Sequence, residues 1–322
     1  MTVATPAPQA GAAPSSEAPL LELVGVTKVF GGLRAVNDVT FRVEPGAIMS
    51  MIGPNGAGKT TAFNVITGLY PPSAGDVRFK GASLVGLPPY RIAKRGITRT
   101  FQNIRLFAYV TAVDNVMVGE HCRMHATVFQ SMFKTPGQRK EERAVEERAL
   151  QQLKRLELEQ YADVYARNLP YGLQRRLEIA RALASGPELL LLDEPAAGLN
   201  SQEKVELMQV IQRLRSEGLT IFLIEHDMRV VMEVSDRIVV LDHGEVIAEG
   251  LPAEVRNNPR VIEAYLGTGA AQESMKQVKP AAAAAEAPAP KPPATPASKP
   301  ETKPPAGGAP PQPPPPPPAG AA

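Results

Sequence analysis

GPNGAGKTT, residues 53–61, is the stretch on which the fold turns. Its first eight residues, Gly53-Pro54-Asn55-Gly56-Ala57-Gly58-Lys59-Thr60, fit the phosphate-binding pattern G-x-x-x-x-G-K-[ST]. Glycines let the backbone curl so that successive N–H groups face phosphate oxygens, and a following helix adds its positive N-terminal end. Lys59 would then reach the β- and γ-phosphates, the Thr60 hydroxyl would ligate Mg²⁺, and Thr61 continues the same turn. The motif needs a strand before it and a helix after it. AIMSMI at 47–52 is a short apolar run that reads as a buried strand, and the residues after the loop carry a helical pattern.

Working outward, LELVGVTKVF and AVNDVTFRVE show β-branched alternation broken at Gly31-Gly32, and Pro45-Gly46 reads as a turn. Downstream, residues 139–158 place Val145, Ala149, Leu150, Leu153 and Leu156 at helical spacing. LLLL at 189–192 is an apolar strand ending in Asp193-Glu194, and a helix over 201–216 puts Val205, Met208, Ile211 and Leu214 on one stripe. TIFLIEH is a third strand, and RIVVLDHGEVIAEG a hairpin turning at 242–244. Strands alternating with helices predict an α/β core with a mainly parallel sheet. An antiparallel β flap is expected beside it, with a mostly helical lobe over about 104–185.

Composition divides the chain. Residues 1–19 and 268–322 hold 21 of its 33 prolines and are otherwise rich in Ala, so both are expected to be disordered tails. The run 313–318 would favour an extended polyproline helix. The remaining 248 residues, 20–267, are long enough for one large domain. They carry 30 basic and 29 acidic side chains, so no bulk charge argues for nucleic acid. A single cysteine, Cys122, excludes an internal disulfide framework. No run approaches the length of a membrane span, and the first residues lack the basic start and apolar stretch of a secretory signal. The expectation is a cytoplasmic chain.

Chemistry concentrates in a few polar residues. An apolar strand ending in acids delivers carboxylates to the sheet edge where the loop's phosphates would sit. There Asp193 would hold Mg²⁺, and Glu194 would polarise the attacking water. His226, just past a strand, could sense the γ-phosphate or be satisfied by backbone. Gln102 in RTFQN could bind Mg²⁺ or water, or be an ordinary loop amide. Phe30 could stack on adenine or belong to the core.

The order of Phe30, the phosphate-binding loop, Gln102, YGLQRR, LLLLDE, AGLN and IEHD resembles the ATP-binding subunit of ABC transporters, over essentially 21–267. Within that superfamily the chain is similar to the ATPase subunits of branched-chain amino-acid importers. The matching stretches are FGGLRAVNDV, GPNGAGKTTAFNVITG, FKTPGQRKEERA, RRLEIARAL, DEPAAGLN, EHDM and RNNPRVIEAYLG. The resemblance implies an ATP-hydrolysing P-loop cassette that closes head to tail on a second ABC ATPase, identical or a sibling. It implies that Phe30 stacks adenine, that Lys59, Thr60, Gln102 and Asp193 hold phosphates and Mg²⁺, that Glu194 polarises water, and that His226 contacts the γ-phosphate. Two transmembrane permeases would dock around Arg99–Phe107, on the inner face of the membrane, and a solute-binding protein would act through them. A lipopolysaccharide-export ATPase is the runner-up; the ending RNNPRVIEAYLG and the 121–140 insertion favour the importer.

One segment departs from the family. The signature Leu-Ser-Gly-Gly-Gln, with Tyr for the first Gly in this branch, reads Leu169-Pro170-Tyr171-Gly172-Leu173 here. The serine hydroxyl and the glutamine are absent. The N–H groups of Tyr171 and Gly172 and the helix end behind them remain for an opposing phosphate. A lost hydrogen bond to a charged oxygen is worth roughly 1.5–3 kcal/mol. A slowed ATPase is expected, or, at the extreme, a partner that binds nucleotide and hardly turns over. Asn200 fits the branch.

Overall fold

The structure is a computed structural model, and it describes residues 18–120 and 136–266. The proline-rich tails beyond Ala18 and Leu266, Cys122 and the greater part of the 121–140 insertion lie outside the described residues. What is described belongs to one compact unit.

Two sheets build the core. The first four strands of the flap are β1 (Leu21–Phe30), β2 (Leu33–Val43), β4 (Ala74–Phe79) and β5 (Ala82–Ser83), ordered β2-β1-β4-β5 and antiparallel throughout. The second sheet contains β3 (Ile48–Ile52), β6 (Ile97–Arg99), β7 (Leu189–Asp193), β8 (Thr220–Ile224), β9 (Arg237–Asp242) and β10 (Glu245–Gly250). Its order is β10-β9-β3-β8-β7-β6. Every neighbouring pair is parallel except the β9–β10 hairpin.

The strand of the phosphate loop, β3, therefore sits inside the sheet, and both its neighbours run the same way. A strand covered on both faces must be apolar on both. LLLLD shows this: Leu190 and Leu192 face one core cluster with the helical lobe, Leu189 and Leu191 the other with the flap.

Helices α1 (Lys59–Ile66) and α2 (Pro89–Lys94) lie on the flap side, and Phe63 of α1 packs against Phe222 with ring centroids 4.9 Å apart. The lobe consists of α3 (Ala112–Gly119), α4 (Pro136–Arg155) and α5 (Tyr171–Ala184). Its interior joins Val116, Ala149, Leu153, Leu177 and Leu183, which continue into α6 (Ser201–Ser216) and one sheet face. A third, smaller cluster forms where α7 (Met228–Val234), α8 (Pro252–Arg256) and α9 (Pro259–Leu266) cover Ile52, Ile238 and Val240.

Three sequence readings are corrected in detail. The helix expected over 139–158 ends at Arg155, because Glu157 takes a left-handed backbone, φ 59°. Leu150 and Val205 do not belong to the buried stripes; both are exposed. In α6 the buried set is Leu207, Met208, Val210, Ile211 and Leu214, which keeps Met208, Ile211 and Leu214 of the expected stripe and replaces Val205 with Leu207 and Val210. The flap also has two strands, β4 and β5, that the early alternation does not reveal. Asn200 caps α6: its side chain accepts from the Glu203 N–H at 3.0 Å, and the Glu203 carboxylate accepts from the Asn200 N–H at 2.9 Å.

Candidate functional site

The C-terminal ends of β3, β7 and β8 point the same way, as their parallel pairing requires, so Gly53, Glu194 and Glu225 emerge at one edge of the sheet. Between β3 and α1 the chain makes its tight turn with Gly53 at φ 152°, Gly56 at φ 83° and Gly58 at φ 99°. Two of these glycines are forced by space as well as conformation. A Cβ on Gly53 would lie 2.1 Å from the Leu241 carbonyl oxygen, and one on Gly58 would lie 2.3 Å from that of Ala35.

Lys59 folds back over this turn, its Nζ donating to the Gly53 carbonyl at 2.8 Å and the Pro54 carbonyl at 3.0 Å. The side chain is largely buried. Burial lowers its pKa, and the nearby charges of Glu194 and Asp193 oppose that shift. A desolvated ammonium wrapped in carbonyls is built to receive an anion. The N–H groups of the first turn of α1 have no partners within the helix and face the same way.

The carboxylates are held separately. Asp193 is buried, and its Oδ2 accepts from Arg99 Nη2 at 2.7 Å. Glu194 sits at φ 47°, and its N–H donates to the Ile224 carbonyl at 2.9 Å. Its Oε2 accepts from Gln102 Nε2 at 2.9 Å and lies 3.7 Å from His226 Nδ1. Gln102, Glu194 and His226, from three separate segments, therefore meet at one carboxylate oxygen. Behind them Glu225 is buried, its Oε1 accepting from the Ala196 N–H at 2.8 Å and its Oε2 from the His226 N–H at 3.2 Å. Burial pushes the Glu225 pKa up.

Phe30 closes β1 half exposed, edge-to-face with Tyr70 at 5.3 Å between centroids. The Lys28 ammonium lies 5.0 Å from its centroid. Phe30 is thus neither a core aromatic nor bare.

Tyr171 and Gly172 form the first turn of α5, and the Tyr171 ring centroid lies 5.5 Å from the Arg175 guanidinium carbon. Their neighbours are at the entrance to α6: a Cβ on Gly198 would meet the Tyr171 ring at 3.0 Å, and one on Gly172 would meet Glu203 Oε1 at 2.7 Å. Pro170 is the residue before the helix, with φ −52° and ψ 151°, and gives the helix no side-chain cap.

Sequence reasoning missed several residues that organise the site. Arg99 was expected on a surface with Phe107, yet its side chain is 7% exposed, whereas Phe107 is exposed. Arg175 and Arg181 of α5 hold the loop that carries Gln102. Arg175 donates to the carbonyls of Phe101, at 3.1 Å, and Gln102, and Arg181 donates to the carbonyl of Arg105. Tyr265 of α9 reaches the Gly53 backbone, and its burial pushes its pKa up. Only tertiary structure joins such residues, so no spacing announced them.

The donors fit the groups the sequence suggests. The glycine cradle and the buried lysine suit a polyphosphate. Hydroxyl, carboxylate and amide oxygens from Thr60, Asp193 and Gln102 are hard ligands of the kind Mg²⁺ takes, few enough that phosphate and water would complete the set. Fold and donor set together define a phosphate-loop ATPase.

Comparison with known proteins resolves this class further. The family described as ABC transporter matches residues 36–197, and the family described as branched-chain amino acid ATP-binding cassette transporter matches 245–271. The chain is 50% identical to the high-affinity branched-chain amino acid transport ATP-binding protein BraF of Pseudomonas aeruginosa. That match covers 77% of this chain and 98% of BraF. Identity is 48% to LivG of Escherichia coli K12 over the same shares, and 33% to the lipopolysaccharide export system ATP-binding protein LptB of that organism, over 75% of this chain and 95% of LptB. Among solved structures, the ADP conformation of MJ1267, an ATP-binding cassette of an ABC transporter, superposes with a TM-score of 0.69 at 32% identity, covering 78% of this chain and all of that one. The chain belongs to the ABC transporter family, as an ATP-binding, ATP-hydrolysing transport subunit. Among the described residues no helix is long and apolar enough to cross a membrane.

Proposed function

We propose that this chain is the ATPase subunit of an importer for branched-chain amino acids, and that it works as one half of a head-to-tail pair of ATPases docked beneath two membrane permeases. The observation that carries the reading is the match to BraF and LivG over 98% of their length, against 33% identity to LptB. The C-terminal family match at 245–271 supports it independently. A solute-binding protein would select the amino acid outside the cell, so no side chain here need contact it.

Within the site, Phe30 would stack on adenine and residues Gly53–Thr61 would wrap the phosphates. Lys59 would exchange its two carbonyl partners for phosphate oxygens. Thr60, Asp193 and Gln102 would hold Mg²⁺, which would offset charge on the phosphates. Glu194 accepts a proton from water as its oxygen attacks the γ-phosphorus and the bond to the β,γ-bridging oxygen breaks. ADP and inorganic phosphate are the products. His226, whose Nδ1 lies 3.7 Å from Glu194 Oε2, would contact the γ-phosphate beside the base. Tyr171 and Gly172 would present backbone N–H groups to the partner's nucleotide.

Capture of the chain from detergent-solubilised native membranes, with mass spectrometry of its companions, tests the assembly. Two permeases and a related ATPase are expected. Recovery with lipopolysaccharide-transport proteins, or without membrane subunits, would overturn it.

A further inference from the structure

Arg99 is the last residue of β6, three positions before Gln102, and it is held on every side. Nη2 donates to Asp193 Oδ2 at 2.7 Å and Nη1 to Asn64 Oδ1 at 2.7 Å. The guanidinium carbon lies 5.5 Å from the ring centroids of both Phe63 and Phe101. Nε is buried and makes no hydrogen bond, so nothing but packing governs that edge. The side chains of Arg99 and Asp193 are 7% and 5% exposed. One cation thus ties the loop of Gln102, the helix behind the phosphate loop and the carboxylate at the end of β7.

We propose that Arg99 is a positioning residue that makes divalent-cation binding at Asp193 conditional on nucleotide. The inference rests on the reading that Asp193 holds Mg²⁺. Asp193 has a full counter-charge in Arg99, and Lys59 adds a second positive field from the phosphate loop. Glu194 is the other acid that faces Lys59 there. A divalent cation arriving alone would share one carboxylate with a fixed, like-charged guanidinium, and the two would weaken each other. Nucleotide phosphates bring enough negative charge to reverse that balance. Guanidinium stays protonated under all working conditions, so Arg99 supplies its charge at any working pH. By linkage, the factor by which nucleotide tightens the cation equals the factor by which the cation tightens nucleotide.

The test is Mn²⁺ affinity, read as free Mn²⁺ by electron paramagnetic resonance, on the full-length chain with and without saturating ADP. Arg99→Gln removes the charge. Arg99→Met removes it while keeping an unbranched stem between the two phenyl rings, and so decides the matter if the glutamine variant fails to fold. Both should bind Mn²⁺ without nucleotide at least about ten-fold more tightly than wild type, shrinking the ADP-dependent gain by the same factor. Arg99→Lys should stay within about three-fold of wild type. Neutral variants that match wild type, or a lysine variant that behaves like methionine, would overturn the proposal. Asp193→Asn separates it from its premise. If that change leaves Mn²⁺ affinity with ADP unaltered, the cation does not sit on Asp193, and the inference falls with that placement.

Discussion

Glu194 occupies a backbone conformation that few non-glycine residues adopt, φ 47°, directly after the buried strand β7. Such a conformation costs of order 1–3 kcal/mol and survives only where its surroundings fix it. Here its N–H is held by the Ile224 carbonyl of β8, and its carboxylate is turned toward Gln102 and His226. The strain aims one side chain. Glu194→Gln keeps the shape and one acceptor but loses the basicity, so hydrolysis should fall by about a hundred-fold or more while ATP binding persists. Steady-state phosphate release beside nucleotide-binding measurements checks this, and turnover surviving the change would remove Glu194 from the role of base. At this scale the sequence was most informative. The phosphate loop, Asp193 and Glu194 are contiguous motifs whose chemistry is set by local order. Arg99 was not legible, because its meaning lies in contacts with Asn64, Phe63 and Asp193, far from it along the chain.

The element that links the lobe to the site is α5. Arg175, Glu178 and Arg181 recur at helical spacing on one face and grip residues 101–105. The Glu178 carboxylate accepts from the Arg105 N–H at 3.3 Å and from Arg175 Nη1 at 3.4 Å. Burial nonetheless raises its pKa, and the hydrogen bond from Arg105 and the charges of Arg175 and Arg181 only partly oppose this. A carboxyl whose pKa is higher folded than unfolded binds more protons in the folded state, so it loses stability as pH rises from the unfolded value, about 4.3, through the raised one. Glu178→Gln cannot ionise. Its melting temperature relative to wild type should therefore shift upward as pH rises through that window, whatever the fixed offset from the lost ion pairs. Parallel pH profiles for the two proteins would contradict the assignment. Helical periodicity revealed α4 and α6, whereas α5 was read only as the helix behind Tyr171 and Gly172. It failed where a stripe meets two neighbours: Val205 and Leu150 keep the period but face outward, since burial is decided by what packs opposite.

On the scale of the whole molecule, the parallel sheet brings Gly53, Glu194 and Glu225 to one edge, while Tyr171 and Gly172 form the first turn of α5. The proposed head-to-tail pairing would bring that turn to the partner's nucleotide. It also locates the effect of Pro170, which precedes α5 with no hydroxyl and no N–H to offer. Pro170→Ser would restore a hydroxyl in an extended conformation suited to an N-cap. If that hydroxyl bonds an oxygen of the partner's nucleotide only in the transition state, turnover should rise about ten- to hundred-fold. The gain should appear at the partner's site and leave this chain's own nucleotide affinity alone. Unchanged turnover would show that the segment is not impaired. The fold class and the parallel core were readable from the sequence as a whole. The strand order β10-β9-β3-β8-β7-β6 was not, because pairing between distant strands leaves no local pattern; the short β4–β5 hairpin, turning at Lys80-Gly81, was missed as well.

In the proposed assembly, ATP hydrolysis by this chain drives branched-chain amino-acid uptake. Uptake of radiolabelled leucine by cells lacking this chain, complemented with wild type or with Glu194→Gln, tests it most directly. Wild type should restore uptake and Glu194→Gln should not, at equal expression. Uptake indifferent to the loss of the chain, or restored equally by both, would contradict it.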